Sequence, residues 1–287
     1  MKLFTNVDQK GRLYMEIVQQ KLIKLNTLLK KFESVAIGFS GGVDSTFLAA
    51  AAARVLGEKA VAVTAYSPTL PESEKQEAVK FAEQIGIRHV LLSINELDDE
   101  NFVENNPQRC YFCKRTRFGE ISRWASDAGY DWVLEGSNAD DVDDYRPGMK
   151  AVEELAIVRS PLLEAGLTKN EIRQLSKKWG LPAWNKPSAA CLSSRVAYGE
   201  KITAERLSQI EQAEEFIKGF CTGQVRVRHH GNLARIEVDA EYIAFFSQIE
   251  IRQKVVAHLK KLGFAFVTLD LIGYCTGSMN AMIKESK

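Results

Sequence analysis

The chain has 287 residues, of which 45% are apolar and 26% charged, a composition typical of a globular protein with one or two domains. Its net charge of +1 argues against a strong attraction of the whole chain to nucleic acid, although a local basic patch is compatible with it. No apolar run approaches the ~20 residues that cross a bilayer, and the N-terminal residues lack a signal-peptide core. We therefore expect a cytoplasmic protein without a membrane partner.

The first two thirds of the chain alternate between apolar strands and amphipathic helices. The predicted elements, in chain order, are a helix (11–32), a strand (35–39), a helix (47–53), a strand (60–66), a helix (72–86), a strand (89–94), a helix (115–129), a strand (132–136) and a helix (168–180). Strands that are linked by helices of about fifteen residues pair in parallel. The sequence therefore predicts the α/β class, with a doubly wound parallel sheet.

The pattern changes near residues 196–201, where we place the boundary between two domains, 1–198 and 199–287. The predicted elements beyond it are a helix (203–218), two alternating strands (224–229 and 233–238), a helix (245–262) and a strand (266–271). The two alternating strands form an antiparallel hairpin, with His229 and His230 expected at its turn. The C-terminal part is therefore predicted to be a smaller α+β domain.

The stretch that follows the first strand has the most informative pattern of the chain. It reads Ser-Gly-Gly-Val-Asp-Ser and occupies Ser40 to Ser45. The two glycines let the backbone turn tightly near a ligand, and the N–H groups of the following helix favour anions. No Gly-Lys-Ser/Thr follows at the required spacing, which excludes a Walker A loop. The alternative to a phosphate-binding loop is an ordinary strand–helix turn. The stretch resembles the pyrophosphate loop (PP-loop) of ATP pyrophosphatases, which cut ATP between its α- and β-phosphates.

A polar loop with four aspartates follows the strand at residues 132–136. In open α/β sheets ligands bind at the carboxyl ends of the strands, so this loop and the glycine loop are expected to lie together. We assign Gly136 and Asp140 to the nucleotide site, where the acidic loop can help to position Mg²⁺. A solvated turn is the alternative for the aspartates.

Three of the five cysteines form the second informative pattern, Cys110-x-x-Cys113 and Cys191. The C-x-x-C pair is expected in a loop before a helix, where Lys114 and helix N–H groups stabilise a thiolate. Four interpretations stay open: a redox disulfide, a zinc site with His229 as a fourth ligand, packing cysteines, and three thiolates on an iron–sulfur cluster. Cys191 can also act alone, as a nucleophile or sulfur donor near the nucleotide.

Arg226 and Arg228 alternate along one predicted strand, so their side chains share a face. Such a pair is typical either of a solvated strand face or of a phosphate clamp for a mononucleotide or RNA.

Several motifs together resemble the LarE family of ATP-dependent sulfur transferases, over residues 28–279. The motifs are Gly38–Ser45, Asn138–Asp141 with Asp144–Gly148, Trp184–Lys186, Ser193–Arg195 with Tyr198–Gly199, Val225–Arg228 and Thr268–Gly273. The family helps to build the nickel-pincer nucleotide cofactor of lactate racemase. The resemblance implies that the carboxylates of pyridinium-3,5-biscarboxylic acid mononucleotide are adenylated with ATP·Mg²⁺ and converted to thiocarboxylates with sulfide or another sulfur donor.

The resemblance also implies roles for individual residues and a homo-oligomeric assembly. The residues that would hold pyrophosphate and AMP are Ser40, Gly41, Gly42, Asp44 and Ser45. The residues that would bind the substrate are Ser194, Arg195, Arg226 and Arg228, the last two at its phosphate. We expect Asp44, Arg195 and Cys191 to take part in catalysis.

The sequence departs from the family members that use a sacrificial cysteine, because the corresponding position falls on Ala190, one residue before Cys191. It resembles instead the variant in which three cysteines, here Cys110, Cys113 and Cys191, hold a 4Fe–4S cluster. A PP-loop tRNA thiolase, an ammonia-using amidoligase such as NAD synthetase and a non-catalytic nucleotide-binding module are the alternative functions. The nearly neutral net charge makes nucleic acid the less favoured substrate.

Overall fold

A computed structural model of the chain describes residues 3–142 and 147–280. The helices are α1 (Leu3–Phe32), α2 (Val43–Leu56), α3 (Glu72–Ile85), α4 (Glu100–Val103), α5 (Arg109–Asp127), α6 (Pro147–Glu153), α7 (Pro161–Glu164), α8 (Lys169–Lys178), α9 (Ala204–Lys218), α10 (Ile243–Phe246) and α11 (Ile249–Lys261). The strands are β1 (Val35–Gly38), β2 (Ala60–Tyr66), β3 (Arg88–Ser93), β4 (Trp132–Leu134), β5 (Val158–Arg159), β6 (Val225–His230), β7 (Leu233–Val238) and β8 (Phe266–Leu269).

A parallel five-stranded sheet in the order β3-β2-β1-β4-β5 forms the centre of the first part of the chain. Its central strands are apolar on both faces, and Val35, Ile37 and Val61 are fully buried. Helices cover the sheet because a parallel sheet has two apolar faces to bury. The Ala-rich helix α2 packs closely, since Ala49, Ala51 and their small neighbours leave room for the strands. The predicted doubly wound α/β sheet is confirmed.

The C-terminal part contains a three-stranded sheet in the order β6-β7-β8. Strands β6 and β7 are antiparallel and are joined by Gly231 and Asn232, whereas β8 pairs in parallel with β7 after the α10–α11 crossover. Val225, Val227 and Leu259 lie in its apolar core. The predicted hairpin and small α+β architecture therefore agree with the structure.

The chain divides into two compact units, and the second is assembled from separate pieces. The first unit comprises residues 1–66, 72–94 and 113–189, and the second comprises 67–71, 95–112 and 190–287. Within the second unit, Leu192 N donates to Thr69 O at 2.9 Å, and Ile202 N donates to Val103 O at 2.8 Å. These backbone bonds explain why two early segments join the C-terminal unit. The predicted division at 198/199 follows chain order alone and stays a prediction.

Three local predictions differ from the structure, and several short elements have no predicted counterpart. The C-x-x-C pair does not precede a helix: α5 begins at Arg109, where Asn106 Oδ1 accepts a hydrogen bond from Gln108 N at 2.8 Å and holds the preceding turn. His229 and His230 are not turn residues, because they pair with Ala234 and Leu233 in the hairpin. The helix predicted at 245–262 is two helices, and the short elements β5, α6 and α7 were not predicted.

Within residues 3–142 and 147–280, none of the helices is both long enough and apolar enough to cross a membrane.

Candidate functional site

The loop between β1 and α2 carries the Ser-Gly-Gly-Val-Asp-Ser stretch at the carboxyl end of β1. Gly41 has a φ of 67°, in the left-handed region that favours glycine, and a Cβ there would lie 3.2 Å from the Ala78 Cα atom. The Ser45 hydroxyl donates to Gly42 O at 3.2 Å and lies 3.1 Å from Ser40 Oγ. In this described region no side chain caps α2, so the N-terminal N–H groups of the helix suit an anion.

The loop after β4 lies directly beside this first loop. Strands β1 and β4 are neighbours at the point where the strand order reverses, which is where open α/β sheets bind nucleotides. A Cβ on Gly136 would lie 3.3 Å from Ser45 N and 3.4 Å from Asp44 Cβ. The absence of a side chain at Gly136 therefore allows the second loop to pack against the first turn of α2.

Asp44 is the best placed acidic side chain of this site. Its carboxylate pairs with the Lys169 ammonium group and accepts a hydrogen bond from Asn138 Nδ2 at 3.4 Å. Burial raises the pKa of Asp44 above its usual value, although the Lys169 charge opposes that shift. A partly desolvated carboxylate beside an anion-binding loop is suited to a divalent cation.

Asp140 lies in the same loop but has a different contact. Its Oδ2 atom accepts a hydrogen bond from Lys169 N, the first residue of α8, at 2.9 Å. Asn138 caps the short 3-10 helix that contains Asp140, since its Oδ1 atom accepts from Asp140 N at 3.0 Å. Asp140 is therefore near the nucleotide loop and also caps a helix. The neighbouring predicted residues Asp143, Asp144, Tyr145 and Arg146 lie outside the described residues.

A buried carboxylate at the end of β4 was not foreseen from the sequence. Glu135 is 3% exposed, and its carboxylate lies 2.9 Å from Lys114 Nζ and 2.8 Å from Ser137 Oγ. Burial alone would raise the pKa of Glu135, but the Lys114 charge and hydrogen bonds from Ser160, Lys114 and Ser137 lower it below its usual value. This ion pair fixes the first residue of the loop that carries Gly136.

The second unit contains the segment that bears Cys191. Arg195 is 3% exposed and forms a two-point ion pair with Glu214, with Nε–Oε1 and Nη2–Oε2 distances of 2.9 and 3.2 Å. Its Nη1 atom donates to Ala190 O at 2.5 Å and to Cys191 O at 2.9 Å. Ser194 Oγ donates to the same Cys191 oxygen at 2.7 Å. Arg195 and Ser194 thus fix the backbone that presents Cys191.

Two further arginines of this unit are buried, which excludes a solvated strand face. Arg228 is 6% exposed and donates to Glu237 Oε2 at 2.6 Å and to Ser194 O at 3.3 Å. Its Nε atom is buried without a hydrogen-bond partner among the described residues. A positively charged group that keeps an unused donor is suited to an anionic ligand.

Arg226 is the least compensated of these cations. It is 8% exposed, donates to Val225 O at 2.7 Å and lies 5.3 Å from the centre of the Tyr274 ring. Burial and the nearby positive charge of Arg195 lower the pKa of Arg226, although the Glu214 charge opposes that shift. No ion pair to a carboxylate is formed by Arg226 within the described part of the chain. A phosphate would supply the missing negative charge.

Two of the three candidate metal-binding cysteines lie beside one cation. Burial would lower the pKa of Arg109, but electrostatic interactions with Cys191, Cys110 and Tyr198 raise it above its usual value. Cys110 is exposed, Cys191 is half-buried, and both belong to the second unit. Cys113 follows three residues after Cys110 in α5 and belongs to the first unit.

A donor set of three thiols suits an iron–sulfur cluster. Among the side chains that the structure describes, no three or more His, Cys, Asp and Glu residues are grouped as a metal site. His229, considered as a fourth zinc ligand, is 2% exposed and lies 3.0 Å from Gln209 Oε1 through Nε2. The cluster assignment therefore rests on the sequence pattern and on the shared cation, and not on assembled ligands.

Sequence reasoning missed the partners of the predicted residues, which are the half-buried Lys169 and the buried Glu135, Glu214 and Arg109. One of them had a readable signal, because Glu214 lies on the apolar stripe of α9 with Ile210 and Ile217. A carboxylate on a buried helix face requires a buried cationic partner. The other three follow no periodic pattern, since each pairs with a residue that is distant in the sequence or lies in a loop.

Comparisons with known proteins agree with this geometry. Residues 16–117 match the NAD synthase family model. An uncharacterized protein of Synechocystis is 43% identical over 94% of this chain and 100% of its own length. The pyridinium-3,5-bisthiocarboxylic acid mononucleotide synthase of Lactiplantibacillus plantarum is 34% identical over 95% of this chain and 98% of its own length. The tRNA-specific 2-thiouridylase MnmA of Desulfitobacterium hafniense is 30% identical, but over only 42% of this chain and 38% of its own.

Proposed function

Because the chain belongs to the LarE family of ATP-dependent sulfur transferases, we propose that it converts the carboxylates of a pyridinium-3,5-biscarboxylic acid mononucleotide into thiocarboxylates. The full-length match to a relative that is named for this product supports the proposal. The observation that carries the choice of substrate is Arg226, a buried cation that lacks a carboxylate partner among the described residues. A phosphorylated small molecule fits such a cation better than a long polyanion does.

The first unit would carry out the adenylation. The N–H groups at the start of α2 and the hydroxyls of Ser40 and Ser45 would hold the phosphates of ATP. A substrate carboxylate oxygen attacks the α-phosphorus, and pyrophosphate leaves from the other side. Asp44, with Asp140 nearby, would hold Mg²⁺, which neutralises the charge that develops on the leaving group. The product of this half-reaction is an acyl adenylate.

The second unit would bind the substrate and deliver sulfur. Arg226 and the unused Nε donor of Arg228 would bind the phosphate of the mononucleotide, while Ser194 and Arg195 shape the Cys191 segment. A sulfur nucleophile then attacks the acyl carbon, the C–O bond to AMP breaks, and a thiocarboxylate remains. Repetition at the second carboxylate gives the bisthiocarboxylate.

We infer that the sulfur is presented on a 4Fe–4S cluster held by Cys110, Cys113 and Cys191. Such a cluster, with one iron that has no protein ligand, would supply an exchangeable sulfide. The second interpretation is direct donation by Cys191, which would consume that residue. The cytoplasmic location and homo-oligomeric state that the sequence suggests stay predictions.

The decisive experiment is anaerobic incubation of the full chain with Mg²⁺, ATP, sulfide and the pyridinium biscarboxylate mononucleotide. We expect release of pyrophosphate and AMP and a pyridinium product in which sulfur replaces carboxylate oxygen, detected by mass spectrometry. The same reaction with unmodified tRNA is the control arm. Thiolation of tRNA alone would overturn the substrate assignment in favour of a thiolase.

Assays of iron and acid-labile sulfide in the anaerobically purified protein distinguish the cluster from direct donation by Cys191. We expect a brown protein whose iron is lost when Cys110, Cys113 or Cys191 is replaced by Ala, with activity lost in all three variants. A colourless protein in which only Cys191→Ala is inactive, and in which Cys191 becomes dehydroalanine during turnover, would establish the sacrificial route instead.

A further inference from the structure

Arg109 is a buried cation that the proposed reaction does not use. It is 5% exposed, at the first residue of α5, and belongs to the second unit. Its Nη1 atom donates to Asn105 Oδ1 at 2.6 Å and to Ser193 O at 3.0 Å. The guanidinium carbon lies 5.3 Å from the centre of the Tyr198 ring. These contacts join two separate segments of the second unit, 95–112 and 190–287.

Asn105, which accepts the hydrogen bond from Arg109, is itself fixed by several contacts. Asn105 is fully buried and has a φ of 54°, which non-glycine residues seldom adopt. Its Nδ2 atom donates to Ala197 O at 2.8 Å and to Glu200 O at 3.0 Å. Several hydrogen bonds therefore fix the orientation of the Asn105 amide, and with it the position of Arg109.

Arg109 links the two segments that carry Cys110 and Cys191, two of the cysteines of the second unit. Arg109 directly precedes Cys110 in the chain, and electrostatic interactions with Cys191 and Cys110 raise the pKa of the guanidinium. The bond from Arg109 to Ser193 O fixes the backbone two residues after Cys191. A planar guanidinium can serve several acceptors in different directions at once, whereas a lysine ammonium on a flexible stem cannot hold the same geometry.

We propose that Arg109 is the positioning residue that brings Cys110 and Cys191 together in the second unit before any cofactor or substrate binds. This inference deepens the proposed function, because it explains how cysteines from two distant segments can serve one sulfur-transfer site. Arg109 acts through the cysteines and contacts neither ATP nor the pyridinium substrate.

The test measures the proximity of the two thiols in the full chain without a cofactor. Cys113, Cys221 and Cys275 are replaced by Ser, and dibromobimane, a short thiol–thiol cross-linker, is added anaerobically. The yield of the bridged Cys110–Cys191 peptide is read by mass spectrometry. We expect Arg109→Gln to reduce the bridging rate by about tenfold or more and Arg109→Lys to restore only part of it. Arg252→Gln, at an exposed arginine of α11, is the matched control and should bridge like the parent.

A second variant separates positioning from a general loss of folding. Asn105→Gly keeps the left-handed backbone without strain but removes the amide that holds Arg109, so bridging should fall while circular dichroism stays native. Unchanged bridging in a folded Arg109→Gln or Asn105→Gly protein would overturn the proposal. A failure of the proposed function is distinguishable, because it would leave bridging intact while the parent enzyme fails to thiolate the pyridinium substrate.

Discussion

The two units hold their candidate functional residues in different ways. In the first unit the loop proposed to hold phosphate consists mainly of backbone. Gly41 has a left-handed conformation, Gly136 lies against the start of α2, and no side chain caps α2 in this described region. In the second unit the site consists of long side chains, above all Arg195, Arg226 and Arg228, which are almost completely buried. The loop of the first unit depends on its backbone conformation. The buried arginines of the second unit depend on the compensation of their charges.

This contrast indicates which substitutions should damage the glycine loop and which should damage the buried arginines. A backbone cradle is damaged by an added methyl group, because there is no free space at the turn and the left-handed conformation is strained for any side chain. A side-chain site is damaged by removal of a counter-charge, because the cost of a buried unpaired ion is large. Substitutions of each kind should therefore affect different measurements, and four of them test the comparison.

The largest expected effect is on the stability of the second unit. Glu214→Gln leaves the buried guanidinium of Arg195 without its negative partner, and Glu214 Oε1 also accepts from Val227 N at 3.1 Å. We expect the free energy of unfolding to fall by about 3 kcal/mol or more, measured by denaturant titration. Glu215→Gln, on the exposed side of the same helix, should have little effect. Equal stability of the two variants would show that the ion pair contributes nothing.

The next effect concerns catalysis by the first unit. Gly41→Ala introduces strain at a φ of 67° and a contact of 3.2 Å with Ala78, so the loop must move away from the phosphates. We expect ATP-dependent pyrophosphate release to fall about 100-fold. Gly86→Ala has the same left-handed strain at a φ of 75° but meets no atom within 4 Å, so it should lose stability and not activity. If both variants are equally active, close packing at Gly41 is not required.

A smaller effect is expected for the uncompensated cation. If Arg226 binds the substrate phosphate as proposed, Arg226→Gln removes a charge-assisted contact, so KM for the pyridinium mononucleotide should rise about tenfold or more with little change in kcat. Thermal stability should be maintained, because no carboxylate among the described residues loses a partner. A loss of stability without a change in KM would assign Arg226 a structural role.

The smallest effect depends on pH. The pKa of Glu135 is lower in the folded protein than its usual value of 4.5, so this group contributes stability above pH 4.5 that is lost as the pH falls through the folded pKa. Glu135→Gln should lower the free energy of unfolding at pH 7 by about 1–2 kcal/mol. The free energy of unfolding of this variant should also change less as the pH falls below 4.5. Glu58→Gln, at an exposed residue of the first unit, should keep the parental acid profile.

The same contrast explains what could be predicted from the sequence. The sheet, the hairpin and the Ser-Gly-Gly loop follow from periodic patterns and local backbone requirements, which a sequence displays directly. The buried ion pairs of Glu214 and Glu135 join residues that are distant in the sequence, and the contact of Arg109 with Ser193 does so as well. Because such pairs have no fixed spacing, only the fold shows which residues are partners, even where a buried helix face indicates that Glu214 needs a cation. The catalytic and binding roles assigned to individual residues stay predictions.

The composition of the second unit from residues 67–71, 95–112 and 190–287 has a consequence for biosynthesis. A ribosome releases the first two pieces long before the last one, so the second unit cannot close until the C-terminal residues emerge. During that interval Asn105, Arg109 and Cys110 have none of their later partners from the C-terminal segment. We expect ribosome-bound chains that stop before residue 190 to be cut by proteases within 95–112 and full-length chains to be protected there. Expression of residues 199–287 alone should likewise give an incomplete unit.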